Sequence, residues 1–383
     1  MSGQEEANGI LRRLREAGFQ AFLVGGCVRD LLLGRPVHDW DVTTSAKPEQ
    51  VLSLFERCIP TGIRHGTVTV LEAGTSYEVA TFRTDGAYVD GRRPASVQFV
   101  SDLTGDLSRR DFTVNAMAMD ENGAITDPFG GRADLTARCV RCVGEPALRF
   151  QEDALRMLRA VRFSAQLGFS MAAETARAMA VYAHLCTRLS AERVRDEVEK
   201  TLLSPQPELV GVMVRLGMLE RFGAQGLHDL SGLREIPCER TARWAALKRL
   251  IPEIRLASFR LDHGTVRLCQ ASAAYYRPFF SALELKQLVA DQGWETARCI
   301  CLLNGQICEL EALLQSEQCV TLAQMAVTGR DLQWLSGPDV GNMLRRLLGY
   351  VHQHPQENER GRLLELAANW SGGQERPKAE FPV

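Results

Sequence analysis

The sequence predicts an α+β protein: a small head of mixed strands and helices, followed by a remainder that is helical throughout. Two observations carry this. Over residues 1–142, short apolar runs with period-two alternation are interleaved with helical stretches and punctuated by Gly, Asp and Pro. From about residue 146, nearly everything has helical spacing, with polar or Gly/Pro breaks near 168, 204, 225–237 and 336–341. A chain of 383 residues is also long enough for two or more domains.

The elements follow in order. Residues 6–18 read as an amphipathic helix. "AFLVGG" (21–26) is a short apolar strand running into two glycines, and "CVRDLLLG" (27–34) has helical spacing and stops at a glycine. "DWDVTTS" (39–45) is the next strand. In "KPEQVLSLFER" (47–57) Pro48 marks a helix start. "GTVTVLEAG" (66–74) and "TSYEVATFR" (75–83) alternate like paired strands, turning through Ala73, Gly74, Thr75 and Ser76. "DGAYVDGRRP" (85–94) reads as an exposed loop and "ASVQFV" (95–100) as another strand. "RRDFTVNAMAMD" (109–120) is mixed and "ENGAITDPFGGRADL" (121–135) is rich in turns. No internal repeat is found, and the end, residues 371–383, reads as disordered.

Composition narrows the class. No apolar run approaches the roughly 18 residues needed to cross a bilayer, and the N-terminus lacks the apolar core of a signal peptide. Eleven scattered cysteines fit a reducing compartment, where they serve as small buried hydrophobes, so a cytoplasmic protein is expected. The net charge of −2 argues against a protein that coats nucleic acid, while a local basic groove stays possible. Lysine occurs only at 47, 200, 248, 286 and 378, so arginine supplies 40 of the 45 basic residues. Its planar fork suits phosphates and base edges, although a compositional bias of the genome explains many of them equally well.

Chemistry concentrates in two neighbouring stretches. On a strand, Asp39 and Asp41 share one face with Cα atoms roughly 7 Å apart, and Trp40 points the other way, into the core. Two such carboxylates repel unless a cation lies between them. Mg²⁺ suits, because it takes hard oxygen ligands and keeps positions for substrate phosphate. A pair of turn acids is the plain alternative. In "VGGCVRD" (24–30), a strand ending in Gly-Gly before a helix exposes backbone N–H groups to an anion, and Arg29 can reach the same anion. A phosphate cradle followed by paired carboxylates is what a nucleoside triphosphate with Mg²⁺ requires.

At this point the chain resembles a known family. "LVGGCVRDLLLGRPVHDWDVTTSA" is similar to the head of the tRNA nucleotidyltransferase/poly(A) polymerase family, the class II group of the polymerase-beta-like superfamily. The likeness continues through "HGTVTV", "YEVATFRTDGAYVDGRRP", "DLSRRDFTVNAMAMD", "DPFGGRADL", "RFQEDALRMLRAVRFSAQLGF" and "SAERVRDEVEK", covering about residues 20–200. It implies a nucleotidyltransferase head (1–142), a helical neck with a base-reading helix (143–200), a helical body (201–320) and a helical tail (321–370). The implied activity is template-independent addition of C, C and A to the 3′ end of tRNA from CTP and ATP. The alternatives are a poly(A) or A-only polymerase and, from another class, a non-catalytic tRNA-binding factor.

The resemblance also assigns residues. Asp39 and Asp41 hold two Mg²⁺ ions, and Glu78 matches the place of a third acid. Gly25, Gly26 and Arg29 match the triphosphate and ribose end, and Arg110 a nucleotide contact, with Arg109 and Asp111 supporting. Asp153 and Arg156 match the base-reading pair. Three apart on one helix they would be neighbours, and Arg159 and Arg162 continue the row as unpaired arginines that want an anion. Asp90, Arg92 and Arg93 match a flexible loop that accompanies the switch from CTP to ATP. The helical remainder matches the part that grips the acceptor stem and T-arm of tRNA, with Arg330, Arg345 and Arg346 as phosphate contacts. "CVRC" (139–142) has zinc-like spacing but lacks a second ligand pair, and His228–Asp229 has no supporting pattern for a phosphohydrolase.

Overall fold

A computed structural model describes residues 3–72, 74–86, 97–316 and 318–371. The chain divides into two units, one of residues 1–230 with 258–260, the other of residues 231–257 with 261–383.

The first unit opens with helix α1 (Gly3–Glu16), whose Ala7, Ile10, Leu11 and Leu14 form one buried stripe at helical spacing. Then come β1 (Ala21–Val24), α2 (Gly26–Leu32), β2 (Asp41–Thr44), α3 (Pro48–Leu54), β3 (Cys58–Gly62), β4 (Thr67–Glu72), β5 (Thr75–Thr81), β6 (Arg83–Asp85), β7 (Val97–Phe99), α4 (Leu103–Ser108), β8 (Ala118–Met119), β9 (Ile125–Thr126), α5 (Gly131–Thr136) and β10 (Cys139–Val140). Seven of these strands form one mixed sheet in the order β3-β4-β5-β2-β1-β8-β9. β2 runs parallel to β5 and antiparallel to β1. Val24, Phe82, Leu103, Leu107 and Ala118 make a core cluster behind the β1 end, which fixes where that strand releases the chain.

The helical text begins as expected with α6 (Pro146–Glu152) and α7 (Leu155–Leu167), followed by β11 (Ser170–Met171), α8 (Ala173–Tyr182), α9 (Ala191–Leu202) and α10 (Val210–Arg215). The second unit holds α11 (Arg240–Leu250), α12 (His263–Ala274), α13 (Ala282–Gln292), α14 (Trp294–Asn304), α15 (Ile307–Gln315), α16 (Pro338–Gln353) and α17 (Arg360–Trp370). Its buried residues include one cluster around Leu285, Val289, Ile300 and Leu310 and another around Leu332, Leu347, Val351 and Leu363.

Three local expectations are corrected, and a fourth gains its pairing. The strand expected from Asp39 starts at Asp41, because ladder pairing begins at Asp41↔Glu78. The turn expected over residues 73–76 is shorter: the β4–β5 ladder extends to Glu72↔Thr75, so Thr75 and Ser76 belong to the strand. The strand expected over 95–100 is described from Val97, as β7, and pairs with β6. Finally, β11 interrupts the helical remainder, pairing parallel with β10 after Gly168 ends α7 in a left-handed conformation.

Candidate active site

The site forms where β1 gives way to α2. Gly25 carries φ +80° and ψ −129°, a conformation that L side chains rarely adopt. A Cβ there would lie 3.1 Å from Nη1 of Arg110 and 3.8 Å from Oδ2 of Asp41, so glycine lets both reach the turn. Gly26 begins α2, whose Cys27 and Val28 are buried, and Arg29 leaves the helix inward.

Asp41 opens β2 with Glu78 as its register partner on parallel β5, so the two side chains share a face. Asp39 lies two residues upstream, exposed and outside the strand, with buried Trp40 between them. Burial pushes the Asp41 carboxyl up to about 6. The charges of Glu78 and Asp39 add to this, and Arg110 works against it. Glu78 and Asp39 thus add negative charge near Asp41, which favours a cation. Among the described residues, no three or more His, Cys, Asp or Glu side chains converge as a ready metal cluster. Two carboxylates with open positions are the pattern of an ion completed by substrate oxygens.

Asp39 and Asp41 line a cavity of about 430 Å³, a size suited to a small ligand, whereas Glu78 does not line it. Gly25, Gly26, Arg29, Asp39, Asp41, Arg110, Arg159 and Arg162 all line it, so the fold gathers residues predicted from four separate stretches. His38, Asp111, Asn115 and Phe163 line it as well. Asn115 and Phe163 went unrecognised although both stand inside quoted motifs: a buried amide and a helical Phe carry no charge pattern to mark them.

The arginines are held in place by bonds to neighbouring side chains. Arg29 donates to Oδ1 of Asn115 (2.7 Å) and pairs with Asp30 (2.8 Å). Arg110 pairs with buried Asp106 (3.3 Å), Arg159 with Asp111 (2.6 Å) and Arg162 with buried Glu197. Burial pushes the Asp111 carboxyl up, but the Arg159 charge and the bonds from Arg159, Asn115 and the Phe112 N–H outweigh it and hold it low. The expectation that Arg159 and Arg162 stand unpaired is therefore corrected. Their acids come from sequence-distant segments, which a helical wheel cannot reveal.

Asp153 and Arg156 depart further from expectation. They do not share a helix. Asp153 ends α6 in an extended conformation (φ −147°), and its Oδ1 accepts the Leu155 N–H at 3.0 Å, opening α7. Its Oδ2 pairs with Arg193 at 2.6 Å. Arg156 is buried, bonded to Glu152 and to the carbonyls of Arg149 and Arg109, each at 3.2 Å. Neither residue lines the cavity, although Arg109 adjoins the cavity residue Arg110. Asp90, Arg92 and Arg93 lie outside the described residues. Arg330, Arg345 and Arg346 are exposed in the second unit, with Arg346 stacked 4.2 Å over Trp370.

Comparisons with known proteins follow the same lines. Residues 21–141 match the family profile of the poly A polymerase head domain, and residues 168–223 that of a probable RNA- and SrmB-binding site of polymerase A. The CCA-adding enzyme of Anoxybacillus flavithermus is 36% identical over 387 residues, covering 94% of this chain and 96% of that one. The CCA-adding enzyme of Geobacillus thermodenitrificans is 55% identical over 201 residues, a stretch that is 52% of this chain and 50% of the relative. The crystal structure of the Bacillus stearothermophilus CCA-adding enzyme in complex with CTP superposes with a TM-score of 0.79 at 35% identity, covering 97% of this chain and 98% of that one.

Proposed function

Because the chain belongs to the tRNA nucleotidyltransferase/poly(A) polymerase family, in its class II bacterial CCA-adding branch, we propose that it adds C, C and A to the 3′ end of tRNA from CTP and ATP, without a nucleic-acid template. The observation that carries this reading is one cavity holding a carboxylate pair and four arginines, set in a chain similar over nearly its whole length to CCA-adding enzymes. tRNA, CTP and ATP are its partners, and the cytoplasm, where tRNA is matured, is its place. No helix among the described residues is long and apolar enough to cross a membrane.

Asp39 and Asp41 would hold divalent metal, in our reading two Mg²⁺ ions, with Glu78 beside Asp41 adding negative charge. When bound, the metal polarises the attacking 3′-hydroxyl and neutralises charge on the phosphates. Gly25 and Gly26 admit the phosphate chain close to the backbone. Arg29, Arg110, Arg159 and Arg162 bind it and hold the pyrophosphate as it leaves. In-line attack of the RNA 3′-oxygen on the α-phosphorus then exchanges one P–O bond for another.

Base choice rests in this account on Asp153 and Arg156. A carboxylate offers about four acceptor sites, and the Asp153 bonds to Leu155 and Arg193 occupy two of them. A remaining site can take the exocyclic amine of cytosine or adenine, while Arg156 donates to cytosine O2/N3 or adenine N1. Uracil and guanine present a carbonyl to the carboxylate, and two acceptors repel. We assign residues 1–142 to the head, 143–200 to the neck, 201–320 to the body and 321–370 to the tail, the last two gripping the acceptor stem and T-arm.

The test is incorporation of each labelled nucleotide, CTP, ATP, UTP or GTP, into tRNA transcripts ending before CCA or before A and into unrelated RNA, with Mg²⁺ present. C and A entering only the tRNAs supports the reading. Long A tails on unrelated RNA would replace it with a poly(A) polymerase, and no incorporation would favour a binding factor.

A further inference from the structure

Phe163 lies in the middle of the arginine set and carries no charge. It is 5% exposed, on the cavity wall. Three guanidinium groups stand over its ring: Arg162 at 4.0 Å from the centroid, Arg29 at 5.2 Å and Arg159 at 5.3 Å. All three are within the roughly 6 Å over which a cation is drawn to an aromatic face. Arg159 and Arg162 come from the same helix as the ring, and Arg29 comes from α2, so the ring joins two elements of the site. Phe112 meets it edge-on, with centroids 5.7 Å apart and planes at 79°, which fixes how its faces are turned.

Converged cations repel. After burial, which lowers the Arg162 pKa, the Arg159 charge is a further influence in that direction. Asn115 and Asp30 satisfy Arg29, Asp111 satisfies Arg159 and Glu197 satisfies Arg162. The π-faces of Phe163 are what the three have in common.

We propose that Phe163 is a positioning residue for nucleotide binding: its ring holds Arg29, Arg159 and Arg162 converged before the phosphate chain arrives. The proposal rests on the reading of this cavity as the triphosphate site. An aliphatic residue of similar bulk would fill the space without the ring's negative faces. The three arginines would then spread, and the phosphates would have to draw them together at the expense of affinity.

Fluorinated phenylalanines test this, because successive ring fluorines drain the faces with little change of shape. The full chain carrying 4-fluoro-, 3,5-difluoro- or 3,4,5-trifluorophenylalanine at position 163 is compared with the unsubstituted chain. The readouts are KM for CTP, kcat on tRNA lacking CCA, and Kd for inorganic pyrophosphate without tRNA. KM and the pyrophosphate Kd are expected to rise stepwise, to about tenfold across the series for three weakened contacts, while kcat stays within about twofold. A flat series, or a fall in kcat at constant KM, overturns the proposal. Should the trifluoro chain melt early, the monofluoro chain decides: a KM about twofold higher supports the proposal and an unchanged KM overturns it. Failure of the nucleotide reading looks different. The unsubstituted chain would then bind no pyrophosphate, and the proposal would fall with the site it rests on.

Discussion

Asp41 ionises late, and that has two measurable consequences. Its carboxyl is pushed up to about 6 by burial and by Glu78 and Asp39, against an ordinary value of 3.8. Above pH 6 it is ionised in the folded and the unfolded chain alike, and the folded state carries the repulsion. As pH falls from 6 towards 4 the folded state takes up the proton first, so stability gained at low pH is lost as pH rises through 6. Asp41→Asn is therefore expected to raise the melting temperature at pH 7, by about 1–2 kcal/mol of stability, while abolishing turnover. Because metal must displace that proton, the Mg²⁺ concentration for half-maximal activity is expected to rise about tenfold per pH unit below 6. An unchanged Mg²⁺ requirement at pH 5 and pH 7 contradicts the assignment. Gly25→Ala places a Cβ against Arg110 in a left-handed backbone. A stability loss of about 1–2 kcal/mol with a KM for CTP raised at least about tenfold is expected from melting and steady-state rates.

Among the elements, α7 carries Arg156, Arg159 and Arg162, and its start is not legible from periodicity. The spacing of Asp153, Arg156, Arg159 and Arg162 predicts one continuous helix. The short Asp153 side chain instead bonds the Leu155 N–H and opens a new helix, a local competition that periodicity alone does not report. Arg162 illustrates the other gap: Glu197, 35 residues downstream, neutralises it in the interior. Arg162→Met strands that buried acid and is expected to destabilise the chain by about 3–5 kcal/mol, whereas Arg162→Met with Glu197→Leu is expected to recover most of the loss. Activity should return in neither, since both lack a phosphate contact. Equal melting of the single and double variants would remove the ion pair from the account. By contrast, the strands beside the site were legible because alternation and glycine punctuation act locally: β4, β5 and the β1–Gly25 junction fall within a residue or two of expectation.

Across the whole molecule, legibility follows how far apart in sequence the cooperating groups lie. The α+β head and the helical remainder came from periodicity, and the cavity residues from motifs whose charges and glycines stand out. Asn115 and Phe163 were missed because their roles come from neighbours on other segments, and the Asp153–Arg193 and Arg162–Glu197 pairs are tertiary for the same reason. Asp153→Ala tests the link from that tertiary network to function. It should lower discrimination against UTP at least about tenfold, because one base-reading bond is lost. Equal discrimination in the variant would remove Asp153 from base reading. The most direct measurement of the central claim is the 3′-terminal sequence of tRNA transcripts lacking CCA, after incubation with the purified chain, Mg²⁺ and all four nucleoside triphosphates together. Termini extended by C, C and A and no further are expected; termini bearing A alone, runs of A, or U and G would contradict CCA addition by this chain.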